Sequence, residues 1–131
     1  MRIVYIAHPI GGNVEVNLNL LKLVVKEINE WEPNVVPFVP YYADCVAMDD
    51  SDPDQRERGI RNNHEMFRRK GLIDELRLYG DKVSKGMWGE VLKAFDHGIP
   101  VVPMSEGTKR DFYAYMFNML NSTLEAQKPK E

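Results

Sequence analysis

The sequence has little of what usually assigns a function at sight. Cys45 is the only cysteine in 131 residues, which excludes an intrachain disulfide and a multi-cysteine zinc site. No apolar run approaches the ~20 residues of a membrane-spanning helix, so no membrane association is expected. Met1 to Ala7 leads straight into a strand-like segment without the length or small-residue cleavage site of a signal peptide. Positive charge is not in excess: the net charge is −3, so direct nucleic-acid binding is not expected. Neither a Gly-x-Gly-x-x-Gly fingerprint nor a P-loop lysine occurs, and there is no internal repeat or low-complexity tract. A globular protein of the cytoplasm, bacterial or of a phage-infected cell, is expected. The 44% hydrophobic and 28% charged residues suit one packed domain, expected over residues 1–127 with a polar tail over 128–131.

Hydrophobic spacing supplies the elements. Arg2–Ala7 reads as a strand, rich in β-branched and aromatic residues. His8, Pro9 and the pair Gly11-Gly12 break it, and Asn13 can cap a helix over Val14–Trp31 that Pro33 stops. A strand over Asn34–Phe38 and a loop over Val39–Ser51 follow. Asp52-Pro53 reads as cap and first position of a helix that runs to about Lys70, before Gly71. Glu75–Tyr79 is the third strand, Ser84-Lys85-Gly86 a turn, and Met87–His97 a helix closed by Gly98. Ile99–Met104 is the fourth strand and Lys109–Gln127 the last helix. Strand and helix alternate throughout. The expectation is an α/β fold: a single-domain parallel sheet with helices on both faces, flavodoxin-like or Rossmann-like. Such sheets bind ligands at the carboxyl ends of their strands, where the strand order reverses.

Two loops therefore matter most. After the first strand, Gly11 and Gly12 allow backbone N–H groups to approach an anion, or simply make a strand-to-helix turn. His8 beside them is either a phosphate or proton contact or a packed histidine. Asn17 is either a ligand contact or a surface residue. After the third strand, Ser84 precedes a helix that carries Glu90 in its first turns. The helix dipole favours an ionised carboxylate there, so Glu90 is a nucleophile or an ordinary helix-start acid.

Taken together, Tyr5-x-x-x-Pro9 with its glycine pair, then Asp81-x-x-Ser84-x-Gly86-Met87-x-x-Glu90, then Gly98-Ile99-Pro100-Val101, resemble the nucleoside 2-deoxyribosyltransferase-like superfamily. The small phage- and bacterium-borne domains of that superfamily are the most similar. The resemblance runs over about residues 2–104, and Asp52-Pro53 ahead of a helix with Gly59 fits it. It implies cleavage or transfer at the N-glycosidic bond of a (deoxy)nucleoside or its 5′-monophosphate, with no metal or redox cofactor. It implies that Glu90 attacks the anomeric carbon, that Tyr5 places it, and that Ser84, six residues earlier, lies near a 5′-phosphate with Gly86 and Met87. A carboxylate nucleophile suits an oxocarbenium-like transition state.

One departure stands out. The superfamily's glycosidases carry an acid for the leaving base on the helix before the third strand, and the ungapped equivalent here is Met66. His64 and Glu65 beside it are the candidate substitutes, with Asn62 and Asn63 as polar neighbours. The rival expectation is a non-catalytic nucleotide-binding module, a sensor or sequestering protein on the same fold.

Other residues carry two readings. Tyr41 and Tyr42 either stack on a base or pack over the sheet end. Asp49 to Asp54 lacks a calcium-loop pattern and reads as a solvated helix start. Arg61 either reaches a phosphate or is solvated. Asp74 reads as a cap. The last helix bears an apolar stripe at Phe112, Tyr115, Met116, Met119 and Leu120, widened by Tyr113, Phe117 and Leu124. That is broader than one packing face needs, so a homo-oligomer is expected.

Overall fold

Side chains close to each helix start set where the elements begin. In the computed structural model, which describes residues 1–129, Asn13 accepts from the Val16 amide and opens α1 (Val14–Trp31), which stops at Glu32 before Pro33. Asp52 accepts from the Asp54 amide and opens α3 (Pro53–Arg68). Ser84 accepts from the Met87 amide and opens α4 (Lys85–Asp96), while Ser105 caps α5 (Glu106–Gln127). Each of these side-chain oxygens satisfies an amide that has no partner inside its helix.

The strands are β1 (Arg2–Ala7), β2 (Val35–Phe38), β3 (Glu75–Leu78) and β4 (Val101–Pro103). They form one parallel sheet in the order β2-β1-β3-β4. The two edge strands carry Pro37 and Pro103, which donate no ladder hydrogen bond and suit an edge. The order reverses between β1 and β3, and the loops leaving these two strands flank that point.

Alternation along the strands divides the core. Tyr5, Ala7, Leu76 and Leu78 face one side and pack with Phe67 of α3, Met87, Val91 and Ala94 of α4, and Phe112 of α5. Val4 and Ile6 face the other side and pack with Leu21 and Ile28 of α1. Arg77 points to that second side, buried, with Glu75 at 2.7 Å and Glu32 at 2.9 Å. Asp74 accepts from the Ile3 amide at 2.8 Å, which ties the start of β3 to β1.

The strands β2, β3 and β4 and the end of α3 are shorter than expected, and three larger differences concern the helices. The segment read as a loop over Val39–Ser51 contains α2 (Tyr41–Ala47). No residue of α2 is buried and no side chain caps it, so the burial pattern and capping signal that mark a helix are both missing. The Tyr41 hydroxyl, donating to the Ile6 carbonyl at 2.6 Å, anchors it. The helices α4 and α5 start earlier than expected because Ser84 and Ser105 act as caps, which draws Lys85-Gly86 and Glu106-Gly107 into the first turns. Lys130 and Glu131, the end of the expected tail, lie outside the described residues. Among the described residues no helix is long and apolar enough to cross a membrane.

Candidate functional site

A cavity of about 490 Å³ opens at the carboxyl end of the sheet, among α2, α3, α4 and the loop after β1. That is an ordinary size for a small-molecule site. The helix α4 contributes Gly86, Gly89, Glu90 and Lys93, three- and four-residue steps along one helical face. A Cβ built on Gly86 or Gly89 meets nothing within 4 Å. Glycine inside a helix costs up to about 1 kcal/mol relative to alanine, and here it leaves the helix backbone bare beside the carboxylate. From α3 come Gln55, Arg56, Gly59, Ile60 and Asn63, and from α2 Tyr41, Asp44 and Cys45.

Glu90 lines the inner end of this cavity and is only 8% exposed. Burial pushes its carboxyl up from 4.5 to about 7, against hydrogen bonds from Tyr5 and Asn63 and the nearby charge of Lys93, which favour the ionised form. Tyr5 is fully buried, wedged against Phe67 (4.8 Å between ring centres), Tyr41 and Phe38. Its hydroxyl donates to the Asn63 side-chain oxygen at 2.7 Å and borders the Glu90 carboxylate. Burial, then the Glu90 charge, raises the Tyr5 phenol well above its ordinary range, so it stays a donor. Burial is also the first cause that raises the Cys45 thiol, followed by Asp50, Asp44 and Glu90, which disfavours a thiolate.

The sequence-derived candidates fall into three groups. Glu90 and Gly86 line the cavity and Tyr5 supports it from beneath. His8, Gly11, Gly12, Asn17, Ser84 and Met87 lie around the same loops without lining it. The His8 ring donates from Nδ1 to the Pro9 carbonyl at 2.7 Å, and its corner packs over Gly80. Asn17 donates to the Ile10 and Gly11 carbonyls and braces the loop, while Gly11 and Gly12 are exposed. Ser84 caps α4, and the Met87 side chain is in the core. His64 and Glu65 do not line this cavity, and Glu65 lines a smaller one of about 190 Å³ that shares Tyr41, Asp44 and Asn63 with it. His64 is exposed beside His97, with 6.4 Å between ring centres. Glu65 pairs with Arg68 at 2.7 Å and Arg69 at 3.1 Å, bonds that push its carboxyl down to about 2.

The residues that sequence reasoning passed over are Asn63 as a partner of Tyr5, Gly89, Lys93 and Asp44. Gly89 and Lys93 were readable from their spacing to Glu90. Asn63 was not, because its role depends on a contact across 58 positions.

A crystal structure of a conserved protein from Enterococcus faecalis V583 is similar to this chain, with a TM-score of 0.54 and 21% sequence identity. The match covers 79% of this chain and 62% of that one. At this identity the likeness bears on the fold alone, an α/β arrangement of the flavodoxin-like or Rossmann-like kind. No curated protein matches the chain. Residues 2–104, which hold all four strands and every cavity-lining residue, match the family described as "Domain of unknown function (DUF7768)", and the chain belongs to that family.

Proposed function

We propose that the protein is an N-glycosidase of nucleosides or nucleoside 5′-monophosphates, similar in chemistry to the nucleoside 2-deoxyribosyltransferase-like superfamily. The observation that carries this reading is Glu90: a buried carboxyl lining a 490 Å³ cavity, with the hydrogen-bonded Tyr5–Asn63 pair beside it. In the proposed reaction the ionised Glu90 attacks the anomeric carbon as the bond to the base breaks. Tyr5 and Asn63 hold the carboxylate in line. Water then releases the sugar and restores Glu90; a second base in place of water gives transfer. Arg56 and Lys93 supply positive charge for a 5′-phosphate, and Gly86 with the loop at Ile10 leaves room for it.

Incubation with a panel of nucleosides and monophosphates, followed by chromatography for free base, tests the reading. Base release that disappears in Glu90→Gln is the expected result. Binding without any release would favour the second reading, a nucleotide-binding module. That reading draws on the α3 wall, where no carboxylate lines the cavity.

The proposed setting is the cytoplasm of a bacterium or a phage-infected cell, where the free, half-buried Cys45 stays reduced. The proposed assembly is a homo-oligomer through the exposed apolar residues of α5, Tyr113, Met116, Phe117, Met119, Leu120 and Leu124.

A further inference from the structure

Resting on the glycosidase reading, we infer that the leaving group is cationic before the bond breaks: the substrate is an N-ribosyl pyridinium nucleotide, or another nucleotide whose glycosidic nitrogen carries a formal positive charge.

The argument starts from the wall that faces the nucleophile. A neutral base leaves as an anion unless an acid protonates it. From α3 the cavity receives Gln55, Arg56, Gly59, Ile60 and Asn63: amides, a guanidinium, hydrocarbon and bare backbone. None of these is a proton donor of the required strength. Glu65 lines only the smaller cavity next to this one and is bound to Arg68 and Arg69, which hold its carboxyl ionised, and His64 lines neither. Lys93 follows Glu90 on the nucleophile's own helix, whereas a displacement at the anomeric carbon needs its acid on the opposite side. The raised Cys45 thiol is a poor donor.

Besides Glu90, the carboxylates that line the cavity are the half-buried Asp44 and the exposed Asp49 and Asp50. Asp49 accepts from the Ser51 amide at 3.0 Å and hydroxyl at 2.6 Å, bonds that favour its anion. The group forms a negative rim beside α2, with Arg56 and Lys93 as the positive counterpart. A cationic ring joined to an anionic phosphate matches both signs. The cation also favours the ionised form of Glu90, which burial opposes.

The step balances without an acid. A Glu90 oxygen bonds to the anomeric carbon as the carbon–nitrogen bond breaks, and that electron pair returns to the ring nitrogen, which becomes neutral. Water then attacks the anomeric carbon, Glu90 departs as carboxylate, and one proton passes to solvent.

The test compares nicotinamide mononucleotide with AMP, dGMP, dCMP and dTMP at equal concentration, with chromatography for nicotinamide and free base. The expected result is nicotinamide release at least roughly 100-fold faster than release of any neutral base, the scale of one missing general acid. That release should vanish in Glu90→Gln and fall in Asp44→Asn through a raised KM. Neutral-base release as fast as nicotinamide release would overturn the inference and leave the glycosidase reading standing. So would neutral-base release that Asp44→Asn abolishes, since Asp44 would then be the acid. No release from either set would overturn both. Nicotinamide release that survives in Glu90→Gln would do the same.

Discussion

Glu90 is under two opposing demands. The proposed glycosidase chemistry asks for a carboxylate, whereas its burial favours the protonated acid. With the carboxyl raised from 4.5 to about 7, the folded protein binds the proton more tightly than the unfolded chain does. The stabilisation from that proton is full below the unfolded value of 4.5 and is lost as pH rises through about 7. The integrated effect is on the order of 3 kcal/mol. Glu90→Gln removes the charge at similar size, so its melting temperature should exceed the parent's at pH 8 and converge with it near pH 5. Equal stability gaps at both pH values would contradict the raised carboxyl. On the same basis, kcat/KM of the parent for base release should rise with pH through about 7, as the nucleophile ionises. Tyr5→Phe removes one hydrogen bond and leaves the ring packed on Phe67. A loss of about 10- to 100-fold in base release is expected, with little loss of stability, because a single orienting bond is at stake.

At the scale of the helices, two glycines with the same propensity cost sit in opposite surroundings. A Cβ on Gly89 enters open space at the cavity. A Cβ on Gly107, in the first turn of α5, collides with the Asp81 backbone. Gly89→Ala should therefore raise stability by up to about 1 kcal/mol while weakening ligand binding. Gly107→Ala should lower stability by about 2 kcal/mol or more. Denaturant titration of both variants, with a ligand-binding assay on Gly89→Ala, tests the pair, and a loss of stability in Gly89→Ala would contradict this account. The same contrast explains what the sequence made legible. The bounds of β1 and α1 follow from residues alone, because the apolar run ends at His8 and helical spacing runs from the Asn13 cap to Pro33. Gly86 was read as part of a turn and the last helix was begun at Lys109, and only the hydroxyl caps at Ser84 and Ser105 draw Gly86 and Gly107 into helices. Glu90 was legible from its spacing to Ser84 and Gly86, whereas α2 left no periodic signal because none of its residues is buried. Glu65 and His64 were chosen by linear proximity to Met66. Helical rotation turns them away from the face that Gly59 and Asn63 present to the cavity.

For the whole molecule, α5 is longer than the domain can use. It runs from Glu106 to Gln127, yet only Thr108 and Phe112 are buried, and from Met116 to its end every residue is exposed. Phe117, 63% exposed, and Leu120, Leu124, Met116 and Met119 lie on that segment. A stretch of that length with no buried residue is marginal as a helix in water, and most helical stability in proteins comes from packing an apolar face. The exposed faces of Leu92 and Phe95 on α4 add to the apolar surface, with Phe95 packed against Phe112 at 6.3 Å between ring centres. Burying such a patch against a second copy satisfies both helices at once, and two-fold symmetry lets one surface serve both subunits. Light scattering should therefore give at least a dimer at micromolar concentration. Phe117→Glu together with Leu120→Glu should shift it to monomer, and amide exchange over 116–127 should then speed up because the segment loses its packing. A parent chain that is monomeric across the accessible concentration range would contradict this assembly. So would a double variant whose amides in that segment stay as protected as the parent's.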